Sequence, residues 1–387
     1  MNKRAIILLL DGVGIGELPD AKLYNDAGSN TLKNLARTIK DFSLLNLENL
    51  GLGNLIDINT ICSPIGAYGK MAEQSVGKDS TSGHWELMGV VLKEPFPVYP
   101  QGFPKEVIAE FERLINRKTI GNIPASGTEI INQLGDEHTK TGYPIVYTSA
   151  DSVFQVAAHE EIISPNELYR MCELARKMLI GKHAVSRVIA RPFIGNSGCY
   201  SRTKGRKDFA LEPPTPTLLD IAKEHQYEVI AIGKVDELFA LRGYTHSFHS
   251  VNNQECFDYT LQALTKYNNG IIFTNFIQFD MDWGHRNDCA SFYKGLKDFD
   301  IRLPEIINQL TDDDILFITA DHGNDPTTPS TDHSREYVPI IAYGKNVRQG
   351  VNLGVRESFA DLGQTIAEYF SLPELKNGTS FYKEIKK

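Results

Sequence analysis

Ala5-Ile6-Ile7-Leu8-Leu9-Leu10-Asp11-Gly12 is a run of apolar residues that ends abruptly on a carboxylate and a glycine. Such a run, bounded by a loop rich in glycine (Gly12, Gly14, Gly16), reads as a parallel strand buried on both faces. The pattern recurs toward the other end of the chain. Val229–Ile232 ends at Gly233-Lys234, Ile271–Phe279 at Asp280, Ile315–Ala320 at Asp321, and Val338–Ala342 at Tyr343-Gly344. Amphipathic helical stretches, Ser291–Leu310 and Phe359–Phe370, lie between or beside them. Strand and helix alternate, which implies an α/β layered domain with a mostly parallel sheet flanked by helices. Ligands of open α/β sheets bind beyond the carboxyl ends of the strands. Asp11, Asp280 and Asp321 are therefore expected on one edge, although the first is remote from the others in sequence.

The middle of the chain reads differently. From Pro95 to about Pro214 it is rich in proline and glycine and carries several helices. One helix has a defined start: Ser164 as cap, Pro165 at the first helical position and Glu167 as a capping-box residue. Leu168, Met171, Cys172, Ala175 and Leu179 then form its apolar face. The simplest parse is a core of residues 1–95 and 221–387, with an inserted α+β domain over 96–220.

Composition excludes several classes. The 387 residues suggest about two to three domains, and 41% hydrophobic with 23% charged is ordinary for a globular chain. A net charge of −9 argues against a nucleic-acid partner. The odd count of five scattered cysteines, with no C-x-x-C pair, argues against a disulfide framework and for a reducing, cytoplasmic setting. The first apolar run is too short to span a membrane, and no protein partner is inferred.

The chemistry gathers in three motifs. Asp280 and His285 fall in Asp280-Met281-Asp282-Trp283-Gly284-His285, Asp321 and His322 are adjacent, and His333 follows in Thr331-Asp332-His333. With Asp11 they supply three carboxylates and three imidazoles, a donor set for Mn, Zn, Fe or Mg. Six ligands divide between two ions, and ions roughly 3.5–4 Å apart clamp both oxygens of a phosphoryl transfer. Any one of these residues alone is more often a core or surface side chain; the joint placement at strand ends carries the reading. Asp282 and Asp325 are equally acidic neighbours and fit loop caps as well as ligands. The loop Gly77-Lys78-Asp79-Ser80-Thr81-Ser82-Gly83-His84-Trp85-Glu86 adds hydroxyls that a metal would activate. Ser80, Thr81 and Ser82 are all candidates, and the same residues suit a helix cap.

These motifs resemble those of the bacterial phosphopentomutases of the alkaline phosphatase superfamily. The resemblance runs through Asp11 with Gly14-Ile15-Gly16-Glu17, the Gly77–Glu86 loop, Ala125-Ser126-Gly127-Thr128-Glu129 and Tyr147-Thr148-Ser149-Ala150-Asp151-Ser152-Val153. It continues through Arg187-Val188-Ile189-Ala190-Arg191-Pro192-Phe193, Trp283-Gly284-His285-Arg286 and Thr319–Pro326 with Thr331–Glu336, and so spans nearly the whole chain. It implies one ion held by Asp280, His285 and His333, and another by Asp11, Asp321, His322 and the nucleophile. The family's usual threonine after the Lys-Asp pair is here Ser80, with Thr81 next door. Its usual serine after the first metal aspartate is here Gly12, a change the sequence does not explain.

The resemblance also implies substrate contacts from Ser149, Asp151, Arg187 and Arg202 in the inserted domain and from Lys234 in the core. Arginine suits phosphate because its planar fork binds two oxygens at once, although surface ion pairs are the commoner fate of residues such as Arg187 and Arg191. The implied activity interconverts ribose or deoxyribose 1-phosphate and 5-phosphate through a phosphoenzyme and a 1,5-bisphosphate. It would use two divalent ions, manganese first among them, and a sugar 1,6-bisphosphate activator. A closing inserted domain would keep water from the phosphoenzyme. Other enzymes of the superfamily, such as a cofactor-independent phosphoglycerate mutase or a phosphatase, share the ligands but not the middle motifs. A non-catalytic sugar-phosphate or metal-binding protein would have no need of the nucleophile loop.

Overall fold

Every residue of the strand Arg4–Leu10 is buried, as an apolar run covered on both faces requires. The structure, a computed structural model, describes residues 3–149 and 151–387. Met1 and Asn2, ahead of that strand, and Ala150, inside one of the motifs quoted above, lie outside the described residues.

Eight of the described strands form one sheet, in the order His246–Phe248, Val229–Ile232, Gly270–Phe276, Arg4–Leu10, Asp314–Thr319, Val338–Tyr343, Ala67–Met71, Asn352–Arg356. Arg4–Leu10 is flanked in parallel by Gly270–Phe276 and Asp314–Thr319. Val338–Tyr343 pairs antiparallel with both of its neighbours. Its apolar run is indistinguishable from those of the parallel strands, because burial on both faces says nothing about direction. The run expected over Ile271–Phe279 stops pairing at Phe276, and Phe279–Trp283 winds into a wide helical turn. Helix Cys289–Ile307 starts on Asp288, whose side chain accepts from the Ser291 N–H, and buries Phe292, Leu296, Phe299, Leu303 and Ile306 at helical spacing.

The chain divides into two compact units, Met1–Pro95 with Pro213–Lys387, and Phe96–Glu212. The second boundary, expected after residue 220, thus falls after Glu212. The cause is local: Thr217 and Asp220 form a capping box that starts helix Leu218–Glu224, and Leu218 and Leu219 are fully buried. Arg242 also binds the Pro213 and Thr215 carbonyls.

The inserted unit has its own sheet, in the order Ile120–Pro124, Ile145–Thr148, Val153–His159, Arg187–Ile194, Ser201–Arg202, with Lys207–Ala210 also on Arg187–Ile194. One face packs Phe111, Leu168 and Cys172 of helices Lys105–Ile115 and Pro165–Met178 against Phe154, Val156 and Val188. The other packs Ile130 and Ile131 of helix Gly127–Thr141 against Ile145, Tyr147, Ala157 and Phe193. Ser164 caps its helix through the Glu167 N–H, but the Glu167 carboxylate pairs with Arg117 rather than closing a capping box. All five cysteines are free.

Candidate metal centre

Strand register brings the three aspartates together. Leu10 lies opposite Phe276, and Leu9 opposite Thr319, so Asp11 and Asp321 leave adjacent strands at the same edge. Asp280 reaches that edge from the helical turn after Phe276. Asp321 is fully buried, Asp11 nearly so and Asp280 almost as deep.

The histidines complete two overlapping groups. His322 Nε2 lies 3.3 Å from Asp321 Oδ2 and 3.5 Å from Asp11 Oδ1. His333 Nε2 lies 3.2 Å from Asp280 Oδ1, and His285 Nε2 3.2 Å from Asp280 Oδ2. Donor atoms of Asp11, Asp321 and His322 lie within 4.8 Å of one another, as do those of Asp280, His322 and His333. His322 therefore stands between the groups instead of belonging to one. His285 touches Asp280 but falls outside the tight set.

The donor atoms fit cations. Asp11 Oδ1, Asp321 Oδ2 and His333 Nε2 are buried and make no well-directed hydrogen bond, only ion-pair contacts at 3.1–3.5 Å within the cluster, an arrangement that is costly unless something else occupies them. The remaining valences are used for orientation. Asn275 donates to Asp11 Oδ2, the Gly12 N–H to Asp321 Oδ1 and Asn324 to Asp280 Oδ1. His285 Nδ1 meets the Thr331 carbonyl at 2.7 Å, which leaves Nε2 toward Asp280. Without an ion, protons take up the charge. Burial and the neighbouring Asp321 and Asp280 carboxylates push Asp11 up to about 7. Burial opposes charge on His322, but Asp321, Asp280 and Asp11 outweigh it and raise the ring to about 9. The hydrogen bond to Asp280 likewise raises His285 to about 9.

Ser80 opens helix Ser80–Leu87, with Asp79 as its cap: Asp79 Oδ1 accepts from the Thr81 and Ser82 N–H groups. Ser80 Oγ lies 3.0 Å from His322 Nε2. Ser82 Oγ is taken up by Glu73 and the Asp79 carbonyl. The helix can approach because residue 83 is glycine; a Cβ there would collide with the Asp321 carbonyl oxygen. Gly12 has φ +73°, and a Cβ there would press on Asn324 and Asp280, so the left-handed backbone favours glycine where the family usually has serine.

Several residues escaped the sequence reading. His84 Nδ1 contacts both the Ser80 carbonyl, at 2.8 Å, and Asp321 Oδ2, at 3.1 Å. Its position four residues beyond Ser80 on one helix face was the available signal. Arg335 is buried and holds the Gly77 and Ser75 carbonyls together with Glu73. Asn275 and Asn324 carry no sequence signal. Asp325 is a loop anchor, accepting from the Asn30 N–H and the Asn34 amide, and Asp282 accepts from Gln278.

The expected substrate residues are spread out. In the inserted unit, Arg187 pairs in register with Val153 and makes a 3.5 Å ion pair with Asp208. Half-buried Ser149 follows strand Ile145–Thr148 and exposed Asp151 precedes strand Val153–His159, at the same end of the sheet. Arg202 lies opposite Phe193, at the far end of the Arg187 strand. Lys234, in the other unit, places Nζ 3.3 Å from Met281 Sδ.

Comparison with known proteins agrees with this architecture. Residues 3–374 match the metalloenzyme superfamily model. The chain is 58% identical to a phosphopentomutase from Dictyoglomus turgidum, covering 100% of this chain and 98% of the relative. It is 56% identical to one from Caldanaerobacter subterraneus, with the same coverage, and 57% identical to one from Acetivibrio thermocellus, covering 99% of this chain and 100% of that one. Two overlapping carboxylate–imidazole groups on a mostly parallel sheet, and identity above half over the full length, make this chain a member of the phosphopentomutase family of isomerases within the metalloenzyme superfamily.

Proposed function

We propose that the chain interconverts ribose or 2-deoxyribose 1-phosphate and the corresponding 5-phosphate by way of a phosphoryl group carried on Ser80. Asp280, His285 and His333 would hold one divalent ion, and Asp11, Asp321 and His322 another. When bound, such ions, manganese by family resemblance, supply a lowered hydroxyl pKa and neutralise phosphoryl charge. The observation that carries the reading is the placement of Ser80 Oγ against His322 Nε2, at the meeting point of the orphaned carboxylate oxygens.

The chain's own residues account for the rest. Asp79 satisfies the first helical N–H groups and so fixes the direction of the Ser80 side chain, a cap of about 1 kcal/mol. His84 braces Asp321 against the same turn. In the transfer, the free hydroxyl of a pentose monophosphate attacks the phosphorus on Ser80. Its new P–O bond forms as the P–Oγ bond breaks, and its proton ends on Ser80 Oγ. The product is a 1,5-bisphosphate, which returns its other phosphoryl group to Ser80 after turning end for end. A sugar 1,6-bisphosphate would charge the enzyme at the start.

The test is conversion of ribose 1-phosphate to ribose 5-phosphate with Mn²⁺ and a bisphosphate activator, followed by peptide mapping. Phosphate on Ser80 is the expected result. Phosphate on Thr81 or Ser82 with Ser80 unmodified would overturn the assignment of the nucleophile.

A further inference from the structure

Away from the metal centre, one hydroxyl in the inserted unit is buried without a partner. Tyr147 is fully buried, yet its Oη makes no hydrogen bond. Tyrosine normally satisfies its hydroxyl when buried. The hydroxyl points at Gly127, the first residue of the fifteen-residue helix Gly127–Thr141, whose cap residue Ser126 makes no side-chain bond to the helix. A Cβ on Gly127 would collide with both Tyr147 Oη and the Arg202 guanidinium. Helix terminus, hydroxyl and guanidinium thus converge on one point.

Arg191 enters from the same side of the sheet. Along Arg187–Ile194 side chains alternate, and Val188 and Ala190 pack into the opposite core. Arg191 Nε donates to the buried Gln155 Oε1 at 3.1 Å. Neither Arg191 nor Arg202 pairs with a carboxylate among the described residues, whereas Asp208 is held by Arg206 and Arg187. Burial, then the charges of Arg206 and Arg202, work against ionisation of Arg191, and Asp208 offsets part of this. Like charges gathered in this way call for an anion.

We propose that the inserted unit contains a phosphate-ester site formed by the Tyr147 hydroxyl, the Arg191 and Arg202 guanidinium groups and the N-terminal turn of helix Gly127–Thr141. Only Arg202 was expected from sequence to meet substrate; Tyr147, Arg191 and the Gly127 turn are new assignments. Free N–H groups and the positive end of the helix dipole suit an oxyanion. Two guanidinium forks suit a tetrahedral dianion better than a planar carboxylate. The choice of a sugar phosphate as the ester rests on the proposed function; the anion chemistry does not. In this site the phosphate is gripped, not transferred, since neither of the carboxylate–imidazole groups found among the described residues includes a residue of the inserted unit.

The test uses the full-length, metal-loaded protein. Amide exchange in the peptide around residues 125–131 is followed with ribose 5-phosphate or inorganic phosphate, and affinity is measured by calorimetry. Ribose 5-phosphate is expected to slow that exchange in the native sequence. Arg191→Gln and Gly127→Ala should abolish the protection and weaken binding by about tenfold or more. Tyr147→Phe, which keeps the ring packed, should weaken binding by a smaller factor. Arg191→Gln should leave the unliganded melting midpoint unchanged or higher, because it relieves repulsion. Unchanged protection and affinity in Arg191→Gln and Gly127→Ala would overturn the site while leaving the mutase reading intact, since conversion of ribose 1-phosphate is assayed separately. Absence of protection in the native protein would overturn it as well. Equal protection by inorganic phosphate at the same concentration would overturn the ester assignment.

Discussion

The two ligand groups sit on one sheet edge but differ in how the protein encloses them. Around Asp11, Asp321 and His322 everything is buried, and Ser80 and His84 close over it. Around Asp280, the histidines His285 and His333 remain partly exposed. The first group is built from strand ends, which leave little freedom; the second hangs on a helical turn and a long loop. The enclosed group is thus suited to hold the proposed nucleophile in one geometry, and the open group to meet a ligand arriving from solvent. His322 lies within reach of both.

Asp321→Asn should have the largest effect. It should abolish turnover and lower metal content, because Asp321 meets His322, His84 and the Gly12 N–H at once. Metal analysis and the conversion assay check this; full activity would remove the enclosed group from the chemistry.

Ser80→Ala should keep fold and metals yet lose phosphoenzyme formation and turnover by at least about a thousandfold, since the proposed carrier of the transferred group is then gone. Ser80→Thr should retain activity because it offers the same oxygen. Mass spectrometry of the intact protein after exposure to activator reads both.

Replacement of the two imidazoles should separate the groups. His322→Ala should deplete both ions, whereas His285→Ala should weaken the open site alone, by about ten- to hundredfold. Equal loss of both ions in the two variants would erase the distinction.

A smaller, graded effect concerns pH. Metal ligands must shed their protons. In the ion-free protein His285 and His322 keep theirs up to about pH 9, and Asp11 up to about 7. Ion affinity should therefore rise with pH toward 9 and fall as pH drops, more steeply below 7 where Asp11 also holds a proton. At pH 8, uptake should release roughly two protons, measured by calorimetry in buffers of different ionisation enthalpy. Uptake without proton release would contradict the ligand assignment of the imidazoles.

The meeting of Asp11, Asp280 and Asp321 at one sheet edge was legible because an apolar run that stops at a carboxylate marks both a buried strand and its chemical end. His84 was not, because its role exists only once Gly83 lets the helix settle against the Asp321 carbonyl. Tyr147 read as an ordinary strand residue; that its hydroxyl lacks a partner depends on helix Gly127–Thr141 lying over it.

Local periodicity and residue chemistry were enough for the α/β class, the interrupted core and the carboxylates at the strand ends. Only the fold in three dimensions shows that Val338–Tyr343 runs against its neighbours, that the inserted unit ends at Glu212 and that His322 lies within reach of both carboxylate groups. Direction, boundary and the shared position of His322 arise from pairings between residues far apart in the chain, and local pattern does not encode them.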